Sequence, residues 1–215
     1  YQRWNLASFM GRVNYNYKDR YLLTVSARYD GSSRLAPGHK WVLFPSAALA
    51  WRVKEESFLK DVDCLSNLKL RLGWGITGNT AIDPYKTQGN LEYGRYSYGS
   101  NGVLAFYQKE MPNPNLSWEK TEQWNAGIDF GFLNGRIGGS VDLYLQNTND
   151  LLMDRQLPIV SGFGNVTTNI GQIRNKGLEV TLNTVNIDTK DFKWTTDFMF
   201  SVNKEEIVEL YNGKV

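Results

Sequence analysis

The sequence predicts an all-β protein built as one antiparallel, up-and-down sheet. Apolar and polar residues alternate with period two in eight stretches along the chain, and period two marks a strand with one greasy and one polar face. Turn signals separate the stretches; the Asn134-Gly135 pair is the strongest, since Asn-Gly between two alternating runs specifies a hairpin. Helical periodicity is absent apart from a brief hint in EESFLKDV, residues 55–62. With 215 residues, 41% hydrophobic, the chain is long enough for one large β domain or two small ones.

The strands follow in order. In LASFMGRVNYNY, Ala7, Phe9, Val13, Tyr15 and Tyr17 oppose Arg12, Asn14 and Asn16. In YLLTVSARYD, Tyr21, Leu23, Val25, Ala27 and Tyr29 oppose Thr24, Ser26, Arg28 and Asp30. WVLFPSAALAWRV sets Trp41, Leu43, Ala47, Leu49, Trp51 and Val53 on one side, and LKLRLGWG sets Leu68, Leu70, Leu72 and Trp74 against Lys69, Arg71, Gly73 and Gly75. The hairpin around Asn134-Gly135 supplies Trp124, Ala126, Ile128, Phe130 and Phe132, then Ile137, Val141 and Leu143. GLEVTLNT and FKWTTDFMFSVN complete the set, the latter with Phe192, Trp194, Phe198, Phe200 and Val202 on its apolar face.

The connections alternate in length. Lys18–Arg20, Phe132–Gly135 and Thr189–Asp191 are tight turns and Lys54–Asn67 is moderate, whereas residues 30–40, 77–115 and 148–174 form long loops. An up-and-down sheet then carries every short turn at one end and every long loop at the other, the asymmetry of outer-membrane barrels. Aromatics sort the same way. Tyr15, Tyr17, Tyr21, Trp51, Phe130, Phe132, Phe192 and Trp194 fall near the short turns, and Tyr29, Trp41 and Trp74 near the long loops. Trp41 and Trp51 lie about 25 Å apart along a tilted strand axis, the height of the apolar band between two aromatic girdles. Alternation alone also permits a soluble β-sandwich, a carbohydrate-binding module of a secreted protein, in which Trp51, Ile128 and Phe198 would be core.

Several function classes are disfavoured. A net charge of +2 gives no general reason to expect nucleic acid. A single cysteine, Cys64, forms no internal disulfide and no Cys-rich metal site. The longest apolar stretch, Trp41 to Trp51, is too short for a spanning helix. GWGITG, Gly73 to Gly78, matches the dinucleotide fingerprint, but NTAIDPYKTQGN follows it where a phosphate-binding helix is required. His39, the one histidine, has no nucleophile or acid at suggestive spacing. The pairs Glu55-Glu56, Glu119/Glu122 and Glu205-Glu206 read as ordinary solvated charges. No catalytic, metal or cofactor site is expected.

Five segments then carry a resemblance. RYDGSSR (28–34), FPSAALAWRV (44–53), LKLRLGWGITGN (68–79), NPNLSWEKTEQWNAGIDFGFLNGRI (113–137) and NIGQIRNKGLEV (169–180) resemble, in order, the SusC/RagA family of TonB-linked outer-membrane transporters from Bacteroidetes. Leu35 departs from the Phe that family members often carry after GSSR. The resemblance implies a barrel of about 22 strands in the outer membrane, with an N-terminal plug, a TonB-contacting segment and a SusD-like surface lipoprotein as lid. It implies import of a large nutrient, a glycan or a peptide, without enzymatic activity. Residues 1–215 are expected to be about eight strands of that barrel, with plug, TonB-contacting segment and closing strands outside the chain. The greasy face then meets the lipid bilayer, with Tyr21, Tyr29, Trp41, Trp51, Trp74, Phe130 and Trp194 as its girdles.

Candidate contact residues come from GNLEYGRYSYGSNGVLAFYQ, residues 89–108. Tyr93, Arg95, Tyr96, Tyr98, Phe106 and Tyr107 form a glycine-spaced aromatic cluster outside any strand pattern. Rigid aromatic surfaces suit sugar stacking and protein contacts alike; a self-packed loop or small β-extension is the plainer reading. Arg12, Arg28, Lys69 and Arg71 on the polar face either line a path or hydrate it. Val141→Arg is expected to block assembly, and Asp142→Arg, facing the lumen, to be tolerated.

Overall fold

The computed structural model describes residues 2–211. Its strands are β1 (Leu6–Tyr17), β2 (Tyr21–Ser32), β3 (Trp41–Arg52), β4 (Leu65–Asn79), β5 (Leu91–Tyr98), β6 (Asn101–Gln108), β7 (Glu119–Phe132), β8 (Ile137–Asn149), β9 (Leu152–Gln156), β10 (Asn165–Asn169), β11 (Gln172–Asp188) and β12 (Lys193–Glu209). Eight of them form one sheet in the order β1-β2-β3-β4-β7-β8-β11-β12, and every neighbouring pair is antiparallel. These are the eight strands the alternation predicts, most of them longer than their sequence stretches. β5–β6 and β9–β10 are two further hairpins standing apart from the sheet.

Register keeps the two faces unmixed. A one-residue slip would send a strand's whole apolar set to the other face; the register shifts only near ladder ends, at Leu65/Asn67, Gln172/Ile173 and Val185/Ile187, and is unbroken between them. Leu49 lies beside Leu72, Leu72 beside Ala126, and Ala126 beside Leu143. On the opposite face Ala50, Arg71, Gly127, Asp142 and Glu179 follow one another. The apolar face is uncovered: Phe9 is 68% exposed and Phe198 54%. A soluble sandwich would place a second sheet there, and none packs on it among the described residues.

Three aromatic rings cover a register-partner glycine, Trp41 over Gly31, Phe130 over Gly139 and Tyr144 over Gly177. A Cβ at Gly31 would run into the Trp41 ring, and one at Gly139 would strike the Thr181 carbonyl as well as the Phe130 ring, so both positions need the bare backbone.

The buried core sits at one end of the wall. Leu35, Phe44, Leu116 and Trp118 pack together beside Val42, Ile76, Ile82 and Leu152. Pairing of β3 with β4 ends at Ser46–Gly75, next to Pro45, which has no N–H to continue a ladder. Phe44 and Trp118 meet edge-on there at 5.3 Å, and a Cβ on Gly78 would strike both. Polar bonds lace the three long connections around this core. Ala36 N–H donates to the Leu116 carbonyl (3.1 Å) and the Trp118 indole N–H to the Lys40 carbonyl (2.9 Å). Asn169 accepts from the Ser117 N–H (2.8 Å) and donates to the Ser117 carbonyl (2.9 Å).

The short connections close the other end. Lys18 and Asp19, with φ of 52° and 54°, turn β1 into β2, and the Arg20 N–H reaches the Tyr17 carbonyl at 3.1 Å. Leu133-Asn134-Gly135 and Thr189–Phe192 do the same for β7–β8 and β11–β12. The helical hint in residues 55–62 reduces to a 3-10 turn at Val53–Glu55 followed by further hydrogen-bonded turns. Lys54 holds that segment by donating to the carbonyls of Leu59, Lys60 and Val62 at 3.0, 3.1 and 2.8 Å.

One expectation needs correcting. Residues 89–108 lie in a regular hairpin, not outside any strand pattern. Gly99, φ 62°, opens the two-residue turn between Tyr98 and Asn101, where glycine at the first position is the usual choice. The 148–174 loop likewise contains β9–β10.

Candidate functional site

Three surfaces emerge from this architecture: the polar face, the aromatic belts of the apolar face, and the outlying hairpin.

On the polar face the charges are paired across strands. Arg71 of β4 grips Asp129 of β7 at 2.7 Å and Asp142 of β8 at 2.8 Å, and Lys69 stands 3.6 Å from Asp129. Arg28 pairs with the buried Asp30 at 2.7 Å and lies over the Phe44 ring. So Lys69, Arg71 and Arg28 are structural partners as well as polar lining. This also corrects the expectation for Asp142: the side chain is engaged, and an arginine there would face Arg71. Beside the network opens a recess of about 600 Å³ lined by Gln123, Asn125, Asp142, Tyr144, Gln146 and Glu179.

The apolar face carries aromatics at two levels. Near the short turns Tyr21 stacks on Trp51 at 6.1 Å, with Tyr17 at 6.4 Å from Tyr21, and Phe130 and Phe132 are 5.9 Å apart. Near the long connections Trp41 stacks on Tyr29 at 5.0 Å and on Phe9 at 6.2 Å, and Trp74 lies 6.0 Å from Trp124. Trp194 is exposed at the short-turn end of β12. Trp124, absent from the sequence-derived girdle set, faces its register partner Trp74; its distance from the Phe132 turn was countable in advance.

One aromatic pair at each level is tied to a carboxylate. Glu56 Oε1 accepts from the Tyr21 hydroxyl (2.7 Å) and the Trp51 indole (3.1 Å), while Oε2 meets Arg20 at 3.2 Å. Glu122 Oε1 accepts from the indoles of Trp74 (2.8 Å) and Trp124 (3.1 Å). The Tyr21 hydrogen bond, then that of Trp51, hold the Glu56 carboxyl below its usual range. Glu119 is occupied as well, by the Asn79 amide and the Leu152 N–H, both at 3.1 Å. The reading of these glutamates as solvated charges is thereby corrected.

In the hairpin, register divides the candidate residues. Tyr93 pairs with Phe106 and Arg95 with Leu104, placing Tyr93, Arg95 and Phe106 on one face. Tyr96, Tyr98 and Tyr107 occupy the other. Tyr93, Phe106 and Tyr98 are 69%, 69% and 78% exposed, so this is the small β-extension of the plainer reading, a blade with aromatics on both faces, and not a self-packed loop. Lys86 and Asn90 fix its base through Glu110, at 2.7 and 3.3 Å.

The fold and this division of surfaces define a β-barrel wall, and the chain matches the family model described as TonB dependent receptor-like, beta-barrel, over residues 1–211. The chain belongs to that family, whose members are outer-membrane proteins. Among curated relatives it is 46% identical over 221 residues to the TonB-dependent receptor SusC of Bacteroides thetaiotaomicron, and 40% identical over 210 residues to the TonB-dependent receptor P26 of Formosa agariphila. Both alignments cover 98% of this chain but only 22% and 21% of the relatives, so the chain spans about a fifth of their length. Among solved structures, the RagAB peptide transporter superposes with a TM-score of 0.88 at 31% identity, covering 98% of this chain and 23% of that one. The siderophore receptor PirA of Pseudomonas aeruginosa shares the fold alone, with a TM-score of 0.60 at 14% identity over 93% of this chain and 32% of that one.

Proposed function

We propose that these residues are one wall segment of a TonB-dependent importer that takes up a large nutrient, a glycan or a peptide. The single observation carrying this is a continuous eight-stranded wall, polar on one face and belted with aromatics on the other, in a chain 46% identical to SusC. The similarity to a peptide transporter leaves both nutrient classes in play. In this reading residues 1–215 belong to one barrel domain. The apolar face meets lipid, with Tyr21, Trp51, Phe130 and Trp194 in the inner girdle and Tyr29, Trp41 and Trp74 in the outer. The polar face looks into the lumen. A plug driven through TonB and a SusD-like lipoprotein lid lie outside this chain. The wall itself performs no chemistry; it excludes lipid, lines the path and presents external loops.

The β5–β6 blade is the contact element in this scheme. Its two aromatic faces suit two different neighbours, lid on one side and nutrient on the other. The test uses the full-length receptor in its own outer membrane. Deletion of Gly89–Gln108 should leave the barrel assembled, because β5 and β6 pair only with each other and with no strand of the eight-stranded sheet, while uptake or lid retention falls. Tyr93→Ala/Phe106→Ala and Tyr96→Ala/Tyr98→Ala should divide that loss between them. Normal growth and full lid retention in the deletion would reduce the blade to a bland extension. For topology, a cysteine at Ser100 should react with an impermeant thiol reagent on intact cells. One at Lys190, and the exposed native Cys64, should react only once the membrane is opened. Reversed labelling would invert the wall, and equal labelling would remove the membrane reading.

A further inference from the structure

The outer aromatic level does not continue unchanged around the wall. From Trp124 the register runs to Leu145, then Lys176, then Lys204. One step further from the short turns it runs Glu122, Asn147, Arg174, Glu206. Leu178 and Val202, the next pair inward, are apolar again. Three cations therefore stand on the girdle-bearing face immediately above its apolar band, while in the other direction the register row of Trp124 runs through uncharged Trp74, Ala47, Val25 and Val13.

The cluster is short of anions. Lys176 and Lys204 are direct cross-strand partners, an arrangement that like charges destabilise. Glu206 serves both, at 3.8 and 2.6 Å. Arg174 spends its Nε on the neutral Asn147 side chain at 2.9 Å, and Glu122 is taken by two indoles. Among the described residues, two ammonium groups and a guanidinium thus share one carboxylate, that of Glu206.

We propose that Lys176, Lys204 and Arg174 dock the phosphorylated headgroup of an outer-leaflet lipid. The proposal rests on the reading that the apolar face meets lipid. At headgroup height the natural counter-ion of such a patch is a lipid phosphate, and Leu143, Leu178 and Val202 directly below offer apolar surface to the attached acyl chains. Inorganic phosphate gains the charge contact without the chain contact and binds more weakly.

The experiment titrates the full-length, detergent-solubilised receptor with lipid A, with lipid A stripped of its phosphates, and with inorganic phosphate, read by native mass spectrometry. Intact lipid A should bind best. Lys176→Gln/Lys204→Gln should weaken it roughly thirtyfold, at about fivefold per lysine, and Lys176→Arg/Lys204→Arg should restore binding. Where the glutamine pair fails to assemble, Lys204→Gln alone should show a loss of several-fold. Equal affinity of wild type and the glutamine variants, or equal binding of lipid A with and without phosphate, overturns the site. A fluorophore on Val202→Cys separates the two readings. Quenching by brominated acyl chains together with unchanged lipid A binding sinks only the headgroup site, whereas absence of quenching sinks the lipid-facing reading beneath it.

Discussion

Arg71 on β4 and Asp142 on β8 are bonded at 2.8 Å across an intervening strand. The residue between them in register is Gly127 of β7, and the bridge passes over it because it has no side chain. A Cβ there would collide with the Asp142 carboxylate and come within 2.9 Å of the Arg71 guanidinium.

Gly127→Ala is therefore expected to destabilise the barrel by about 1–3 kcal/mol, the usual cost of forcing extra volume into a filled position. In an Arg71→Ala/Asp142→Ala background the same change should cost far less. Urea midpoints of the four proteins in lipid measure the difference, and an undiminished cost in the emptied background would detach Gly127 from the bridge.

The two faces predict opposite fates for the same substitution. Val141, between Ile128 and Val180 on the apolar face, should not accept arginine, at about 2–4 kcal/mol for a charge at mid-bilayer. Gln146→Arg, on the polar face beside the open recess, should assemble normally. Heat-modifiable gel migration reports assembly of each; equal behaviour would refute the assignment of faces.

Glu56 gives a pH signature. Its carboxyl is held below the usual 4.5 by the Tyr21 and Trp51 hydrogen bonds. A depressed carboxylate contributes stability that is complete above its unfolded value and is lost as pH falls through the folded one. The stability difference between wild type and Glu56→Gln should thus be full at neutral pH and close on acidification below about 4.5. A gap that persists in acid would mean the anchor works without its charge.

The wall was legible in the sequence because one face of each strand is apolar and the other polar, so period two survives. The blade was not. Tyr93 and Phe106 occupy one of its faces and Tyr96 and Tyr98 the other, so aromatics appear on both sides and the alternation cancels. The carboxylate anchors were hidden for another reason. Glu122 reaches Trp74 from 48 residues away, and Arg71 reaches Asp142 from 71; such partners are named by register, which composition and spacing do not supply. The rim core was half visible: RYDGSSR and NPNLSW stand out as motifs, with Leu35 just past the first, but the meeting of Leu35 with Leu116 needed the fold.

Trp118→Ala tests that core. The side chain is buried against Phe44, and aromatic-to-alanine changes in packed sites cost about 3–5 kcal/mol. Limited proteolysis on intact cells should show faster cleavage within residues 33–40 and 80–118, with the strands still protected. Unchanged cleavage would mean the connections are held by their hydrogen bonds alone.

That core has a consequence for how such a wall is put in place. The strands bury little against one another's side chains, and the packed cluster of Leu35, Phe44, Leu116 and Trp118 lies wholly at the end of the long connections. In the topology proposed here, those segments must cross the bilayer as unpacked chain before they can meet. Once across, they condense into a knot bulkier than any single strand, joined by indole and asparagine bonds that span three connections. Passage back would require dismantling it. The rim core then works as a one-way latch, converting a reversible threading step into a committed one.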